Sequence, residues 1–356
     1  MSHPPHTAPT ERARPESGGG GSSASPLPAE EPPSTGDAEP DLLEAIARSL
    51  RAWGHALDHG DDCALLGAGE GAQLLTTDAL AEGVHFDLAW DTLEQVGAQA
   101  AVVNLSDLAA SGGRPRALLW SLSLPPSLSV EQVGALAWGF ARVAARWDAP
   151  VLGGNLCVRP GPLEVHVTAL GAVEGRRLHR SGARAGDALF VTGALGARAL
   201  GYLEPSEASR ALRHQWRPHL SESAALASWG GVTAMMDISD GLLLDAHRIA
   251  AASDVELSIT SALLPVCARM SALASTPEVA LRAALSGGED YVLLFTARGE
   301  PPPEAHATQI GECLRAARPS TSRLSLDGEP VAPRGYEHTL GAPALLPHSP
   351  PLPPLP

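Results

Sequence analysis

The 356-residue chain contains no lysine, and all 25 of its basic residues are arginine. This absence excludes every site that depends on a lysine ammonium group, including the Walker A lysine, the strand lysine of protein kinases and a Schiff-base lysine. Any ATP chemistry in this chain must therefore neutralise phosphate charge with metal ions, arginine guanidinium groups and backbone N–H groups.

Cysteine is scarce, and long apolar runs are absent. The four cysteines are widely scattered and form no C-x-x-C pair. This spacing argues against a structural zinc site or a disulfide framework and favours reduced thiols. No run of about 18 apolar residues could span a membrane, and the first residues lack the apolar segment of a signal peptide. The expected location is the cytoplasm.

Charged residues make up only 18% of the chain, and the formal net charge is -15. Nucleic-acid binding is disfavoured, because a phosphate backbone is held mainly by clustered basic side chains. An acidic protein of this kind is better suited to recruiting divalent cations, which can then hold anionic substrates.

The length predicts two domains, and the composition predicts a tail at each end. Residues 1–39 contain no aromatic residue, valine or isoleucine, and residues 341–356 are mostly proline and leucine. Segments that can bury so little apolar surface are predicted to be disordered. The folded part is expected to comprise an N-terminal domain at 40–173 and an α/β domain at 174–340.

Helices and strands interleave through both predicted domains, which indicates an α/β or α+β fold. Helices are predicted at Leu42–Trp53, Leu93–Ala110, Val130–Trp147 and Gly241–Ala252. Strands are predicted at Gln73–Asp78, Leu163–Leu170, Asp187–Gly193 and Asp290–Thr296.

Acidic residues stand at the predicted ends of these elements. Asp62 precedes an apolar run, Asp78 closes a strand, Asp107 lies in the last turns of a helix, and Asp237 and Asp240 precede another helix. Each has an ordinary alternative, since aspartates also form turns and cap helices or simply face water. Together, and beside threonine and serine hydroxyl groups, they favour a magnesium–phosphate site.

Several segments resemble the motifs of the thiamine-monophosphate kinase family and occur in the family's order. They cover roughly Asp41 to His338. The matching segments are Gly60-Asp-Asp-Cys-Ala-Leu-Leu66, Thr76-Thr-Asp-Ala-Leu-Ala-Glu-Gly-Val-His-Phe86, Val103-Asn-Leu-Ser-Asp-Leu-Ala-Ala110, Arg180-Ser-Gly-Ala-Arg-Ala-Gly-Asp187, Val191-Thr-Gly193, Asp237-Ile-Ser-Asp-Gly-Leu-Leu243, Ser286-Gly-Gly-Glu-Asp-Tyr291 and Gly335-Tyr-Glu-His338.

The resemblance implies a two-domain fold like that of aminoimidazole ribonucleotide synthetase, with mixed sheets flanked by helices. It also implies a homodimer whose N-terminal sheets pair, and a metal-rich ATP cleft. By resemblance, the residues holding or flanking several Mg²⁺ ions are Asp62, Thr76, Thr77, Asp78, Asp107, Asn155, Asp237 and Asp240. ATP would contact Gly154, Arg180 and Ser239, and thiamine phosphate would contact His85, Glu289 and Tyr336.

One position departs from the family's pattern. Gly153-Gly154-Asn155-Leu156 stands where the family commonly has Gly-Gly-Asp-Thr. Asn155 offers a metal a carbonyl oxygen but no negative charge, so one metal ion is expected to bind more weakly or through waters.

The implied activity is transfer of the ATP γ-phosphoryl group to thiamine phosphate, the last step of thiamine diphosphate biosynthesis. No residue is assigned as a general base. Two alternatives stay open. One is another ATP-dependent enzyme of the superfamily that includes selenophosphate synthetase; the other is a non-catalytic nucleotide-binding homologue. Selenophosphate synthetase typically relies on a reactive cysteine or selenocysteine and a lysine near its N-terminus. That alternative lacks support because the N-terminal tail has no cysteine and the chain has no lysine.

Overall fold

The structure, a computed structural model, describes residues 39–52, 60–67, 71–204, 206–266, 268–316 and 323–338. The two predicted tails lie outside these ranges, except for Glu39, which begins the first helix. Within the described ranges, no helix combines the length and the apolar character needed to cross a bilayer.

The described residues form nine α-helices and twelve strands. The helices are α1 (Glu39–Ala52), α2 (Leu93–Ala110), α3 (Val130–Arg146), α4 (Ala197–Leu203), α5 (Glu207–Arg210), α6 (Leu220–Trp229), α7 (Leu242–Ser253), α8 (Ala268–Leu273) and α9 (Pro277–Ser286). The strands are β1 (Ala64–Leu66), β2 (Gln73–Ala81), β3 (Gly113–Leu124), β4 (Val151–Val158), β5 (Glu164–Val173), β6 (Ala188–Val191), β7 (Val232–Asp237), β8 (Val255–Ile259), β9 (Leu293–Ala297), β10 (Thr308–Arg315), β11 (Leu324–Leu326) and β12 (Glu329–Pro330).

The strands form two mixed sheets. The first has the order β1-β2-β5-β3-β4, and the second has the order β12-β11-β8-β10-β6-β9-β7. The predicted mixed α/β fold class is therefore confirmed. Among the residues that the structure describes, no segment contributes to both sheets. We propose that each sheet with its helices is one domain, divided after Val173 as the sequence predicts. Buried apolar side chains of both parts pack in one continuous cluster, which includes Leu108, Phe140 and Phe295.

Helix α2 connects the two sheets and carries part of the site. Its start is set by a capping box. The Thr92 side chain accepts from the Gln95 backbone N–H, and the Gln95 side chain accepts from the Thr92 backbone N–H. Gly97 allows the backbone of α3 to approach closely, because a Cβ atom there would lie 2.0 Å from the Leu136 carbonyl oxygen. The last turn of α2 contacts α6, where Ser223 Oγ donates to the Ala109 carbonyl at 2.6 Å.

The strand predicted from Asp290 begins later than predicted, at Leu293. Glu289 and Tyr291 have φ angles of 56° and 52°, in the left-handed region that side chains other than glycine seldom adopt. An extended strand cannot pass through such residues, so the segment before Leu293 forms a shaped loop instead.

Candidate functional site: a carboxylate cluster between the two sheets

Three aspartates from separate elements meet where the two sheets face each other. Asp62 precedes β1, Asp107 lies in the last turn of α2, and Asp237 ends β7. One carboxylate oxygen from each lies within 4.8 Å of the others. Three oxygen donors at this separation suit a hard divalent cation such as Mg²⁺.

Two residues of β2 point into the same cluster. Thr76 Oγ1 donates to Asp107 Oδ2. Asp78 lies beside Asp107, and its Oδ2 atom is buried with no hydrogen-bond partner. The prediction that Asp78 closes a strand is wrong, because β2 continues to Ala81 and Asp78 pairs with Val167 in its interior. Thr76 and Asp78 share a face because side chains alternate along a strand.

The cluster is electrostatically costly without a cation. Burial raises the pKa of Asp62, Asp78, Asp107 and Asp237. Repulsion from neighbouring carboxylates raises each pKa further, and for Asp107 these neighbours are Asp78, Asp237 and Asp62. Ser106 Oγ partly offsets this by donating to Asp237 Oδ2 at 2.5 Å. Carboxyl groups crowded in this way gain most from a bound cation, which stabilises their charged forms.

Arg180 lies at the edge of the cluster. Its guanidinium donates to Asp62 Oδ1 at 2.6 Å, and its backbone N–H donates to Asp61 Oδ1 at 2.9 Å. Asp61 Oδ2 also contacts His179 Nδ1 at 2.7 Å, so Asp61 anchors the segment that carries Arg180. Asp61 and Asp62 therefore do more than form a turn, because both carboxylates bind the segment that contains His179 and Arg180.

Ser239 and Asp240 stand in a loop that is shaped by a residue the sequence did not single out. Asp245 Oδ2 accepts from the backbone N–H groups of Ser239, Asp240 and Gly241 at 3.0–3.1 Å. Arg248 Nη1 donates to Asp240 Oδ2 at 2.5 Å and to Asp245 Oδ1 at 2.6 Å, and so links the two carboxylates. Neither Ser239 nor Asp240 caps α7, whose N-cap is Gly241, so that alternative is wrong.

His85, Glu289 and Tyr336 form a second group beside the cluster. The His85 and His338 ring centroids are 6.1 Å apart, and Tyr336 meets His338 edge-on at 4.9 Å. Glu289 accepts from Gln99 at 3.0 Å and from Arg198, which also donates to the His85 carbonyl at 2.6 Å. Burial lowers the pKa of His85, and its Nδ1 accepts from the Ala81 N–H, so Nε2 carries the proton.

Three predicted residues do not reach the cluster within one chain. Thr77 lies on the opposite face of β2 from Asp78, where its hydroxyl donates to the Val167 carbonyl at 2.9 Å. Gly154 and Asn155 lie on the edge strand β4, three strand spacings from β2 and therefore about 14 Å away. Their proposed roles toward a metal ion and ATP remain predictions.

Several contributing residues had no usable signal in the sequence. Ser106 stands inside a recognised motif but is an ordinary helix residue by pattern. Gln99 and Arg198 lie far along the chain from their partner Glu289, and no local spacing connects them. Only the packing of α2 and α4 against the loop before β9 brings these three together.

The comparisons with known proteins agree with this geometry. A family model for the N-terminal domain of AIR synthase related proteins matches residues 60–173. Thiamine-monophosphate kinase of Mycobacterium tuberculosis H37Rv is 36% identical over 284 residues, covering 77% of this chain and 82% of that protein. The chain belongs to the thiamine-monophosphate kinase family.

Other members of the family extend the match. Thiamine-monophosphate kinase of Aquifex aeolicus is 36% identical over 290 residues, covering 78% of this chain and 92% of that protein. A solved structure, AaThiL complexed with AMPPCP and TMP, superposes with a TM-score of 0.75 at 33% identity. The superposition covers 85% of this chain and 97% of the chain in that structure.

Without metal, the protein is expected to lose stability as pH rises from about 6.5 to 8. Burial raises the pKa of Asp290 to about 8, so the folded state keeps a proton that the unfolded state releases near pH 4. Stability therefore falls with rising pH, by at most about 1.4 kcal/mol per pH unit for this group. His214 and His219, whose pKa burial lowers to about 4, affect stability only below about pH 6.5.

Urea denaturation at pH 6.5 and pH 8 in EDTA checks this expectation. The predicted loss is about 2 kcal/mol in the wild type. Asp290→Asn, whose amide oxygen can still accept from the Gly196 N–H, should show a smaller loss. Equal or greater stability of the wild type at pH 8 would contradict the assignment.

Proposed function

We propose that this chain is a thiamine-monophosphate kinase. It transfers the γ-phosphoryl group of ATP to thiamine phosphate and releases thiamine diphosphate and ADP, the final step of thiamine diphosphate biosynthesis. The observation that carries the proposal is the buried cluster of Asp62, Asp107 and Asp237 in a chain of this family. A cytoplasmic location follows as an expectation, because ATP is its co-substrate.

Magnesium is the proposed metal, and the donor set fits it. The cluster offers only oxygen ligands, and the buried Asp78 Oδ2 atom has a free acceptor site. Asp62, Asp78, Asp107 and Asp237 would hold the ions, with Asp240 and the Thr76 hydroxyl beside them. When bound, Mg²⁺ supplies charge neutralisation and alignment for two phosphate groups that otherwise repel each other.

The nucleotide phosphates are proposed to lie between Arg180 and the loop at Ser239. The Arg180 guanidinium pairs directly with Asp62 of the cluster and can also pair with a phosphate oxygen. Ser239 is held in place through the Asp245 carboxylate, which occupies the backbone N–H groups of that loop. Ser239 therefore offers ATP its hydroxyl group.

Thiamine phosphate is proposed to occupy the neighbouring wall of His85, Glu289 and Tyr336. His85 Nε2 carries a proton and can donate to an anionic oxygen, while Tyr336 supplies an aromatic surface. The Glu289 carboxylate lies on the same wall and can face the cationic thiazolium ring. Because Arg198 already pairs with Glu289, this carboxylate acts there as a hydrogen-bond acceptor with most of its charge offset.

Phosphoryl transfer to this acceptor needs no strong general base. A phosphate monoester has a second pKa near about 6, so its terminal oxygens are mostly ionised at neutral pH. The residues have to position the two phosphates in line and reduce their repulsion. We therefore assign metal-holding and positioning roles to the aspartates and Arg180, and no proton-abstracting role to any side chain.

We also propose a homodimer formed through the first sheet. Every residue of β4 is exposed, including the apolar Leu152 (70%) and Leu156 (53%). Among the described residues, Thr76–Ala81 of β2 has no strand partner on the side away from β5. Pairing β4 of one copy with this part of β2 in the other would cover two open edges.

The same pairing would explain the placement of Asn155. Asn155 and Thr77 lie on the same face of the sheet, away from α2 and α3, but on strands that are far apart in one chain. In the proposed dimer, Asn155 of the partner subunit would lie close to Thr77, on the face of β2 opposite Asp78. Because the Asn155 amide is neutral, it would bind a metal ion there more weakly than an aspartate would, but would still bind it.

The test is incubation of the purified protein with ATP, Mg²⁺ and thiamine phosphate, followed by chromatographic separation of the products. We expect thiamine diphosphate and ADP in equal amounts, and none when EDTA replaces Mg²⁺. ATP consumption without thiamine diphosphate would favour another enzyme of the superfamily. Nucleotide binding without turnover would favour the non-catalytic alternative, for which the Asn155-Leu156 departure is the one sequence feature.

A further inference from the structure

We infer that Arg198 is the positioning residue of the thiamine phosphate site, holding Glu289 and the His85 loop in one arrangement across the two halves of the molecule. The inference rests on the proposed function, because it assigns a role within that site. It concerns an arginine that no motif includes.

The contacts of Arg198 are shared among three segments. Its side chain is 3% exposed, and its Nε donates to Glu289 Oε2. Its Nη2 donates to the His85 carbonyl at 2.6 Å and to the Tyr202 hydroxyl at 3.1 Å. Its Nη1 donates to the Arg213 carbonyl at 3.2 Å. One planar guanidinium thereby ties the β2–α2 connection to the loop before β9 and to the segment after α4.

The position of Arg198 is itself enforced by a stack of alternating guanidinium groups and aromatic rings. Neighbouring centres in this stack are 4.0–5.5 Å apart. In order, its members are Trp216, Arg198, Tyr202, Arg213, Trp90 and Arg210. Each pairing of a cation with a ring face is favourable, most of all when water is excluded.

The stack is fastened at its centre by a buried ion pair. Arg213 is fully buried and donates from Nη2 to both oxygens of Asp91, at 2.8 and 2.7 Å. A charged pair removed from water keeps its geometry, since breaking it would leave an uncompensated charge. Arg198 therefore projects from a rigid support toward Glu289, while the exposed Arg210 ends the stack on the far side.

Glu289 needs such support. Its backbone has a positive φ of 56°, which costs energy and persists only when surrounding contacts impose it. Gln99 Nε2 donates to Glu289 Oε1 at 3.0 Å, and Arg198 Nε donates to Glu289 Oε2. Burial disfavours the charged form of Arg198, but attraction to Glu289 and other neighbouring groups together raises its pKa, so the guanidinium stays charged.

Lysine could not reproduce this arrangement. An ammonium group is a single point of charge, whereas the guanidinium fork donates in several fixed directions at once. Arg198→Lys would reach either Glu289 or the His85 carbonyl, but not both. Arg198→Met keeps much of the apolar stem and removes every donor.

The experiment measures steady-state kinetics for wild type, Arg198→Met, Arg198→Lys and the control Arg142→Gln, which changes an exposed arginine outside the stack, varying thiamine phosphate and ATP separately. Arg198→Met is expected to raise KM for thiamine phosphate about 30-fold, because a buried charge loses its partner. KM for ATP should stay within about twofold, since Arg198 donates to none of the residues proposed to bind ATP. Arg198→Lys should give an intermediate KM, and Arg142→Gln should match the wild type.

The outcomes separate this inference from the proposed function. If the wild type makes no thiamine diphosphate, the proposed function fails. If the wild type is active and a folded Arg198 variant keeps its KM for thiamine phosphate, the inference fails. A parallel rise in both KM values, or loss of folding in both Arg198 variants by circular dichroism, would show a general structural role and overturn it too.

Discussion

Replacing Asp107 by asparagine is expected to lower kcat by about 1000-fold or more and, at the same time, to stabilise the metal-free protein. Asp107 is the most central acid of the cluster, where it meets Asp62 and Asp237 and accepts from Thr76. Asparagine has nearly the same shape but removes one of several buried like charges. The repulsion that favours metal binding is then reduced, which we expect to raise the unfolding free energy by about 1–3 kcal/mol.

The measurement pairs turnover at saturating ATP and Mg²⁺ with thermal unfolding in EDTA. Glu304→Gln, which removes an exposed carboxylate in the second half of the chain, is the control and should change neither value appreciably. Unchanged kcat in Asp107→Asn would refute the metal-holding role. A large fall in stability would show that Asp107 serves the fold instead.

Leu156→Arg is expected to convert the proposed dimer to a monomer and to lower activity by about 100-fold or more. Leu156 is exposed on an edge strand, so the arginine is easily accommodated in a single copy. In a pairing of β4 with β2, however, the charge would be buried without a partner. Loss of the dimer would also remove the partner's Asn155 from the site.

Analytical ultracentrifugation combined with the product assay checks this expectation. Leu263→Arg is a suitable control, since Leu263 is also an exposed apolar residue (47%) but belongs to the second half of the chain. It should remain dimeric and active. A wild-type protein that is monomeric at assay concentrations and fully active would exclude the proposed dimer.

Local features of the site were predictable because they depend on short stretches of chain. The helix predicted at Leu93–Ala110 has the bounds of α2 in the structure, and this places Asp107 in its last turn. Asp237, at the end of β7, is likewise adjacent in sequence to both the strand and the helix that position it. The order of the motifs was sufficient to predict the family.

Other features depended on which elements pack together. Thr76 and Thr77 are neighbours in sequence, yet only Thr76 faces Asp107, and the covered face of β2 is decided by α2. Asn155 stands where the family commonly has aspartate but lies on an edge strand away from the cluster. The left-handed backbone at Glu289, which delays β9, is supported by Gln99 and Arg198 from distant segments.

The sequence by itself determined the chemistry available to this protein: oxygen ligands and arginine in place of lysine, arranged in motifs whose spacing is local. The tertiary structure alone decided that Asp62, Asp107 and Asp237 come within 4.8 Å, and that Arg198 joins His85 to Glu289. The physical reason is that such contacts link residues far apart in the chain. They exist only after both sheets have formed and α2 has packed between them.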